Sequence, residues 1–228
     1  PVTVFLAKKI LEKKINPVII RKNYKTHHDE YSFIKKYFNS LIICSNRKKG
    51  IAEAEDKKFD IAILDDGFQD LSIYKDLNIL CFNQKQLVGN GFVIPAGPLR
   101  ESLNSLKKAH VVIINGKKDI LFEEKLIKNN KNLDIFYSNY EIKNLNEFQN
   151  KKLFAVAGIG NPKNFFDLLS QNNLNVEKKL SFPDHYPFSS RQINEMVSYS
   201  KKKNLQIVMT EKDYLRIKNF NISEVKYL

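Results

Sequence analysis

Short, continuous apolar runs recur along this chain, separated by stretches with helical spacing. PVII at 17–20, LIIC at 41–44, DIAIL at 60–64, LNILCF at 77–82 and HVVII at 110–114 are strand-length. They also lack the apolar–polar alternation of a half-buried strand, and a strand that is apolar on both sides must be covered on both sides. Residues 1–14 carry apolar side chains at 4, 5, 7, 10 and 11, the spacing of an amphipathic helix. Residues 31–38, the stretch through 51–55, and residues 101–108 also read as helices. The alternation predicts an α/β fold, a mostly parallel sheet with helices on both faces.

Near 140–152 the pattern turns polar (YEIKNLNEFQNKK), and a second α/β alternation follows. LFAVAGIG reads as a strand entering a glycine turn, 162–170 as a helix with proline near its first turn, and 176–182 as a strand. A serine-capped helix over 189–203, a strand over 205–209 and a helix over 211–217 complete it. The expected division is a larger lobe over 1–140, a hinge over 141–152 and a smaller C-terminal α/β lobe over 153–228.

Of the 228 residues 43% are hydrophobic, enough for a substantial core. Cys44 and Cys81 both sit in apolar runs, which predicts buried thiols and a reducing compartment. No run approaches the roughly 18 apolar residues of a membrane span, and the opening PVTVFLAKK has no basic region of a signal peptide before it. Lys and Arg (38) outnumber Asp and Glu (25), for a net charge of +13. This excess either reflects an AT-rich genome or favours an anionic partner such as a nucleotide or acidic lipid. With no aromatic–basic RNA-binding signature and no zinc-finger spacing, nucleic acid is not an expected partner.

Several segments carry candidate chemistry. ILDDGFQD (63–70) ends an apolar run in two adjacent acids and a glycine. Ligands of open α/β sheets bind outside the carboxyl ends of strands. Magnesium there needs few carboxylates beside phosphate oxygens and water, so one of Asp65 and Asp66 suffices; a plain turn is the alternative. Gln69 is placed to orient the same loop. GNGFVIPAGPLRE (89–101) is a rigid turn delivering Arg100 and Glu101, and a guanidinium fork suits phosphate oxygens; a surface Arg–Glu pair is the alternative. GIGNPKNFF (158–166) reads as a tight strand-to-helix turn. FPDHYPF (182–188) sets His185 beside Asp184 in a proline-bracketed loop, and MTEKDYLRI (209–217) reads as a helix capped by Thr210, with Lys212 a candidate for more. In HHDE (27–30), consecutive side chains on an extended chain face opposite ways, so they do not share one metal ion; a single catalytic carboxylate fits better.

In this order, ILDDGFQD, GNGFVIPAGPLRE, VAGIGNPKNFF, FPDHYPF and MTEKDYLRI resemble the tetraacyldisaccharide 4′-kinases, the lipid A 4′-kinases of Gram-negative bacteria, over nearly the whole chain. The resemblance implies a P-loop-NTPase-like fold with a cleft between two lobes, and ATP and Mg2+ as cofactors. It implies transfer of the γ-phosphoryl group to the 4′-hydroxyl of a tetraacyl glucosamine disaccharide 1-phosphate, the lipid A disaccharide precursor. It also implies work at the cytoplasmic face of the inner membrane, on an anionic membrane surface. Residue by residue, it makes Asp65 the magnesium residue, and Asp66, Gln69 and Glu101 part of the nucleotide site. Arg100 would neutralise charge, Asp29 would be the general base, and His185 would assist it from the other lobe. Tyr24 and Glu30 match substrate-side positions.

The chain departs from the family pattern in places. No glycine opens a G-x-x-x-x-G-K-[ST] segment. Pro1 resembles the proline that follows that motif, so the P-loop and the family's membrane helix are expected upstream, and this piece alone is expected to be inactive. Arg21-Lys22-Asn23-Tyr24 replaces Arg-Gly-Tyr, His28 a glycine, Tyr31 a proline and Asp70 a histidine. Two other readings stand beside the kinase: a non-catalytic basic α/β module docking on anionic membranes, and a magnesium-dependent enzyme without a P-loop.

Overall fold

The computed structural model describes residues 2–24, 28–220 and 222–228, with His28 and Asp29 described by backbone alone. Among the described residues the strands form three sheets, and every pairing is parallel. Contacts divide the chain into two compact units, residues 1–65 with 142–228, and residues 66–141. This grouping differs from the expected division at 141–152: the segment 66–141 is a unit of its own, and the flanking segments belong together.

In the first unit, β1 (Pro17–Lys22) lies between β2 (Leu41–Cys44) and β3 (Ile61–Leu64). Val18, Ile19 and Ile20 are all buried because helices cover both faces. Ile19 packs with Val4 and Ala7 of α1 (Val2–Glu12) and with Ile34 and Phe38 of or just after α2 (His28–Tyr37). Val18 and Ile20 pack on the other face with Ala54 of α3 (Arg47–Asp56). Truncating Ile19 to alanine in such a setting costs about 2–5 kcal/mol.

The unit's second sheet runs β10–β9–β7–β8, from β7 (Lys152–Ala157), β8 (Asn175–Ser181), β9 (Gln206–Met209) and β10 (Val225–Tyr227). α5 (Pro162–Gln171) packs Phe165 and Leu169 against Leu153, Ala155 and Val208. On the other face Ile193 and Met196 of α6 (Ser190–Lys203) and Ile217 of α7 (Glu211–Ile217) meet Phe154, Val156 and Ile207. The starts of these helices are encoded locally. Asn161 caps α5 with Pro162 next, Ser189 and Gln192 form a reciprocal capping box on α6, and Thr210 accepts from Asp213 N on α7. The Lys201–Lys203 cluster falls in the last turn of α6, where cations suit the helix dipole.

The two sheets belong to one unit because α2 meets α7 and β10. Glu211 accepts from Lys36 at 2.5 Å and from the Tyr37 hydroxyl at 2.6 Å, and Lys36 also donates to the Tyr227 hydroxyl at 2.7 Å.

The second unit holds β4 (Ile79–Asn83), β5 (Val111–Asn115) and β6 (Asp134–Ser138) in sequence order, with α4 (Ile120–Asn129). Val112 and Ile114 pack with Leu106, Phe122 and Leu126. Residues 103–108 form a 3-10 helix, not the expected α-helix. The buried-thiol expectation holds for Cys44 and fails for Cys81, which is exposed. Leu80 and Phe82 point into the packed face of β4, and period-two alternation puts Cys81 on the other. No helix among the described residues is long and apolar enough to cross a membrane.

Candidate active site

In the first unit, charged side chains gather at the carboxyl ends of β1 and β3. Asp65 directly follows β3. Its Oδ1 accepts from Thr3 Oγ1 at 2.7 Å, from the first turn of α1, and its Oδ2 is ion-paired with Arg21 Nη1. Arg21, near the end of β1, reaches Glu30 in the first turn of α2 through its other terminal nitrogen. Glu30 also accepts from Lys212 Nζ at 2.8 Å. Arg47 is buried at the start of α3 and donates to the Asp65 carbonyl at 3.1 Å. Parallel pairing explains the convergence, because β1 and β3 run the same way and end at one edge.

Of the two residues expected on the substrate side, Glu30 is therefore inside this network. Tyr24 lies beside it, on the connection from β1 to α2, with its amide 2.5 Å from the Tyr31 hydroxyl. That hydroxyl is also 3.2 Å from the carbonyls of Lys22 and Tyr24. Tyr31, a departure from the family's proline, is thus a buried tether for this connection. The carboxylate of Asp29 and the whole of His27 lie outside the described residues; from His28 the backbone is helical, not extended.

His185 sits between β8 and α6 with φ of 55°, a left-handed conformation that histidine tolerates better than most residues. In the same loop Phe182, Tyr186 and Phe188 pack on one another, with ring centroids 4.6–5.4 Å apart. Its Nδ1 lies 3.4 Å from Arg216 Nη2, and its Nε2 lies 3.9 Å from Asp184. Arg216 Nη1 donates to Asp213 at 2.8 Å and to the Gly158 carbonyl at 2.7 Å. The buried Asp213 carboxylate takes further hydrogen bonds from Gly158 N (3.0 Å) and Thr210 Oγ1 (2.6 Å). Burial pushes its carboxyl above the usual carboxylate range, against the pull of Thr210, the Gly158 amide and Arg216. A Cβ on Gly158 would come 3.1 Å from Asp213, so glycine allows this approach.

The remaining candidates belong to the second unit. Asp66 has φ of 53°, a left-handed conformation that aspartate tolerates better than most residues. Its carboxylate takes Arg100 Nη1 at 2.8 and 3.0 Å, a pair that is mostly exposed. Arg100 therefore pairs with Asp66 and not with Glu101, whose carboxylate is 4.0 Å from Lys108. The loop before Arg100 is clamped by Asn90, which donates to Ala96 O and accepts from Phe92 N. Gln69 is exposed, and the turn after Gly67 is held by Lys75, which donates to the carbonyls of Gly67 and Asp70.

The side chains also bear on magnesium. No cluster of three His, Cys, Asp or Glu among the described residues could hold a metal ion by itself. An ion carried largely by nucleotide phosphates and water asks the protein for one or two carboxylates. Asp65 fits, since each of its oxygens accepts one hydrogen bond in these contacts and a carboxylate oxygen can take more than one partner.

The whole chain, residues 1–228, matches the LpxK family, tetraacyldisaccharide-1-P 4′-kinase. The chain belongs to the tetraacyldisaccharide 4′-kinase family. It is 38% identical over 227 residues to the tetraacyldisaccharide 4′-kinase of Pelagibacter ubique (strain HTCC1062), covering 97% of this chain and 71% of that protein. It is 33% identical over 216 residues to the kinase of Haemophilus influenzae (strain 86-028NP), covering 92% and 62%, and 30% identical over 244 residues to that of Rickettsia akari (strain Hartford), covering 96% and 72%. The crystal structure of "apo" form LpxK from Aquifex aeolicus in complex with ATP superposes with a TM-score of 0.65 at 21% identity, covering 99% of this chain and 77% of that one. This likeness shows that the tetraacyldisaccharide 4′-kinase fold is shared. Arg21, Thr3, Arg47 and Arg216, which the sequence motifs did not single out, carry much of the observed geometry.

Proposed function

We propose that this chain supplies the magnesium- and substrate-handling residues of a tetraacyldisaccharide 4′-kinase, which moves the γ-phosphoryl group of ATP to the 4′-hydroxyl of the lipid A disaccharide precursor. The observation that carries this reading is the meeting of Thr3, Arg21, Glu30 and Asp65 at one strand edge, in a member of the kinase family. The first turn of α1 contains no acidic residue and lies against Asp65, so its amides suit phosphate. Asp65 would hold Mg2+, and a bound magnesium ion neutralises charge on the β- and γ-phosphate oxygens.

The other residues act by binding and proton handling. Arg21 orients Asp65 and Glu30, and Lys212 holds Glu30 from α7. Asp29 takes the proton of the sugar hydroxyl, and His185 orients that carboxylate. Arg100 donates to phosphate oxygens, with Asp66, Gln69 and Glu101 completing the nucleotide side, and Tyr24 and Glu30 face the sugar. The net charge of +13 suits an anionic inner-membrane surface and a substrate phosphorylated at one end.

The test is phosphate transfer to the 4′-position by the intact kinase, in a double-mutant cycle of Asp29→Ala and His185→Ala. Each single change should cost roughly 10²–10⁴ in kcat, and the double change little more. Additive losses would show two independent roles, and wild-type kcat in both would remove these residues from the reaction.

A further inference from the structure

We propose that Arg216 is a positioning residue that locks His185 in the tautomer carrying its proton on Nε2, so that His185 works in the kinase as a hydrogen-bond donor and not as a proton acceptor. The catalytic half of this proposal rests on the placement of His185 at the proton-handling site given above.

A guanidinium has donors and no acceptor, and it stays charged at any pH at which the protein folds. The Arg216 side chain is only 11% exposed, and the Asp213 it pairs with is fully buried. One terminal nitrogen is committed to Asp213 and the Gly158 carbonyl, so the guanidinium plane has little freedom to turn. Its other terminal nitrogen faces His185 Nδ1 at 3.4 Å. A proton on Nδ1 would set two donors against each other beside a fixed positive charge, whereas a lone pair there accepts from Arg216. The neutral ring then carries its hydrogen on Nε2.

The loop cannot easily swing the ring away. His185 N donates to Asp184 Oδ1 at 3.0 Å, and the flanking Phe182, Tyr186 and Phe188 pack on one another, which anchors the backbone on either side. Charged groups of the described residues that face the ring include Asp184 from its own loop and Arg216 from α7, with Asp213 behind Arg216. A ring so held can donate from Nε2 to an ionised carboxylate, while its one basic lone pair, on Nδ1, is engaged by the Arg216 cation. That assigns proton acceptance to the carboxylate and orientation to the histidine.

The test combines a spectrum with kinetics. In the wild-type protein labelled with nitrogen-15 at histidine, long-range proton–nitrogen correlations of the imidazole, assigned with His185→Gln, should show Nε2 protonated and Nδ1 bare at neutral pH. A proton on Nδ1, alone or as imidazolium, would overturn the proposal. In the intact kinase Arg216→Gln, whose amide can donate or accept, should mix the tautomers and lower kcat by about tenfold with KM within about twofold. Arg216→Lys keeps a donor-only cation and should retain most of kcat. Adding Arg216→Gln to His185→Ala should cost nothing further. Wild-type kcat in a folded Arg216→Gln protein would refute the positioning role. If the glutamine variant does not fold, the wild-type spectrum and Arg216→Lys still decide. Wild-type kcat in His185→Ala would instead sink the placement of His185 in the reaction, leaving the spectrum to judge whether Arg216 sets its tautomer.

Discussion

Lys212 and Glu30 are 182 positions apart in sequence and 2.8 Å apart in the fold, Nζ to Oε1. Glu30 is held on its other oxygen by Arg21, which also holds Asp65, so α7, α2, β1 and β3 share one run of alternating charges. The chemistry of this end of the sheet depends on residues from both halves of the chain.

Asp65→Asn keeps the shape of the side chain and removes the charge that suits a cation. In the intact kinase it should lower kcat by at least about 100-fold while the protein remains folded, and its requirement for magnesium should rise. Thermal melting measured beside the rate separates the two effects. Loss of folding with no separate loss of rate would reduce Asp65 to a turn residue.

Arg100→Ala should behave differently in stability from a core change. Its pair with Asp66 is mostly exposed, 61% and 52%, and exposed ion pairs contribute about 0–1 kcal/mol. Urea unfolding should shift by no more than that, while kcat falls by at least about tenfold. An unchanged rate would leave Arg100 as a surface partner of Asp66.

Asp213→Ala leaves Arg216 as a buried cation without its carboxylate. Removing one member of a buried pair costs about 3–5 kcal/mol, so urea unfolding should show one of the larger losses of any single change in this unit. A cost within the surface range would mean that Arg216 swings out to solvent.

The contact of Glu211 with Lys36 and Tyr37 should show in alkali. Burial and the hydrogen bond to Glu211 push the Tyr37 hydroxyl from 10.0 up to about 12. Burial alone would lower Lys36, but hydrogen bonds to Glu211 and Tyr227 outweigh it and raise the ammonium above its ordinary 10.5. Both groups bind protons more tightly when folded, so the stability they contribute is fully present below about pH 10 and is lost as pH rises toward 12 and beyond. In Glu211→Gln the fall in stability between pH 10 and 12 should be shallower than in the wild type, measured by chemical unfolding at each pH. Identical slopes would show that Glu211 does not hold these protons.

What was legible in the sequence follows from what is local. β1, β2 and β3 announced themselves because strands covered on both faces are apolar throughout, and α6 did because its capping box is written in adjacent residues. α4 was missed because Ile120 and Leu121, at its first turn, are exposed and blur the helical spacing. β10 is three residues long, too short to show any period. Of the candidate residues, the motifs named Asp65, Asp66, Arg100 and His185, but their partners were harder to see. Arg21 looks like an ordinary charge at the end of a strand, and only the pairing of β1 with β3 reveals that Asp65 is its neighbour. Arg216 looks like a surface residue on a short helix, and only burial of Asp213 beneath it shows otherwise.

The first unit is discontinuous in sequence, and this has a consequence for how the protein is made. When residues 1–65 leave the ribosome, neither α7 nor β10 has yet been synthesised, and the ribosome must first produce all of 66–141 and then 142–210. At ~5–20 residues per second that is a wait of roughly 7–30 seconds. During it Lys36, Tyr37 and Glu30 stand without Glu211 and Lys212, so the nascent first sheet must persist on its own helices or be shielded until the last helix emerges.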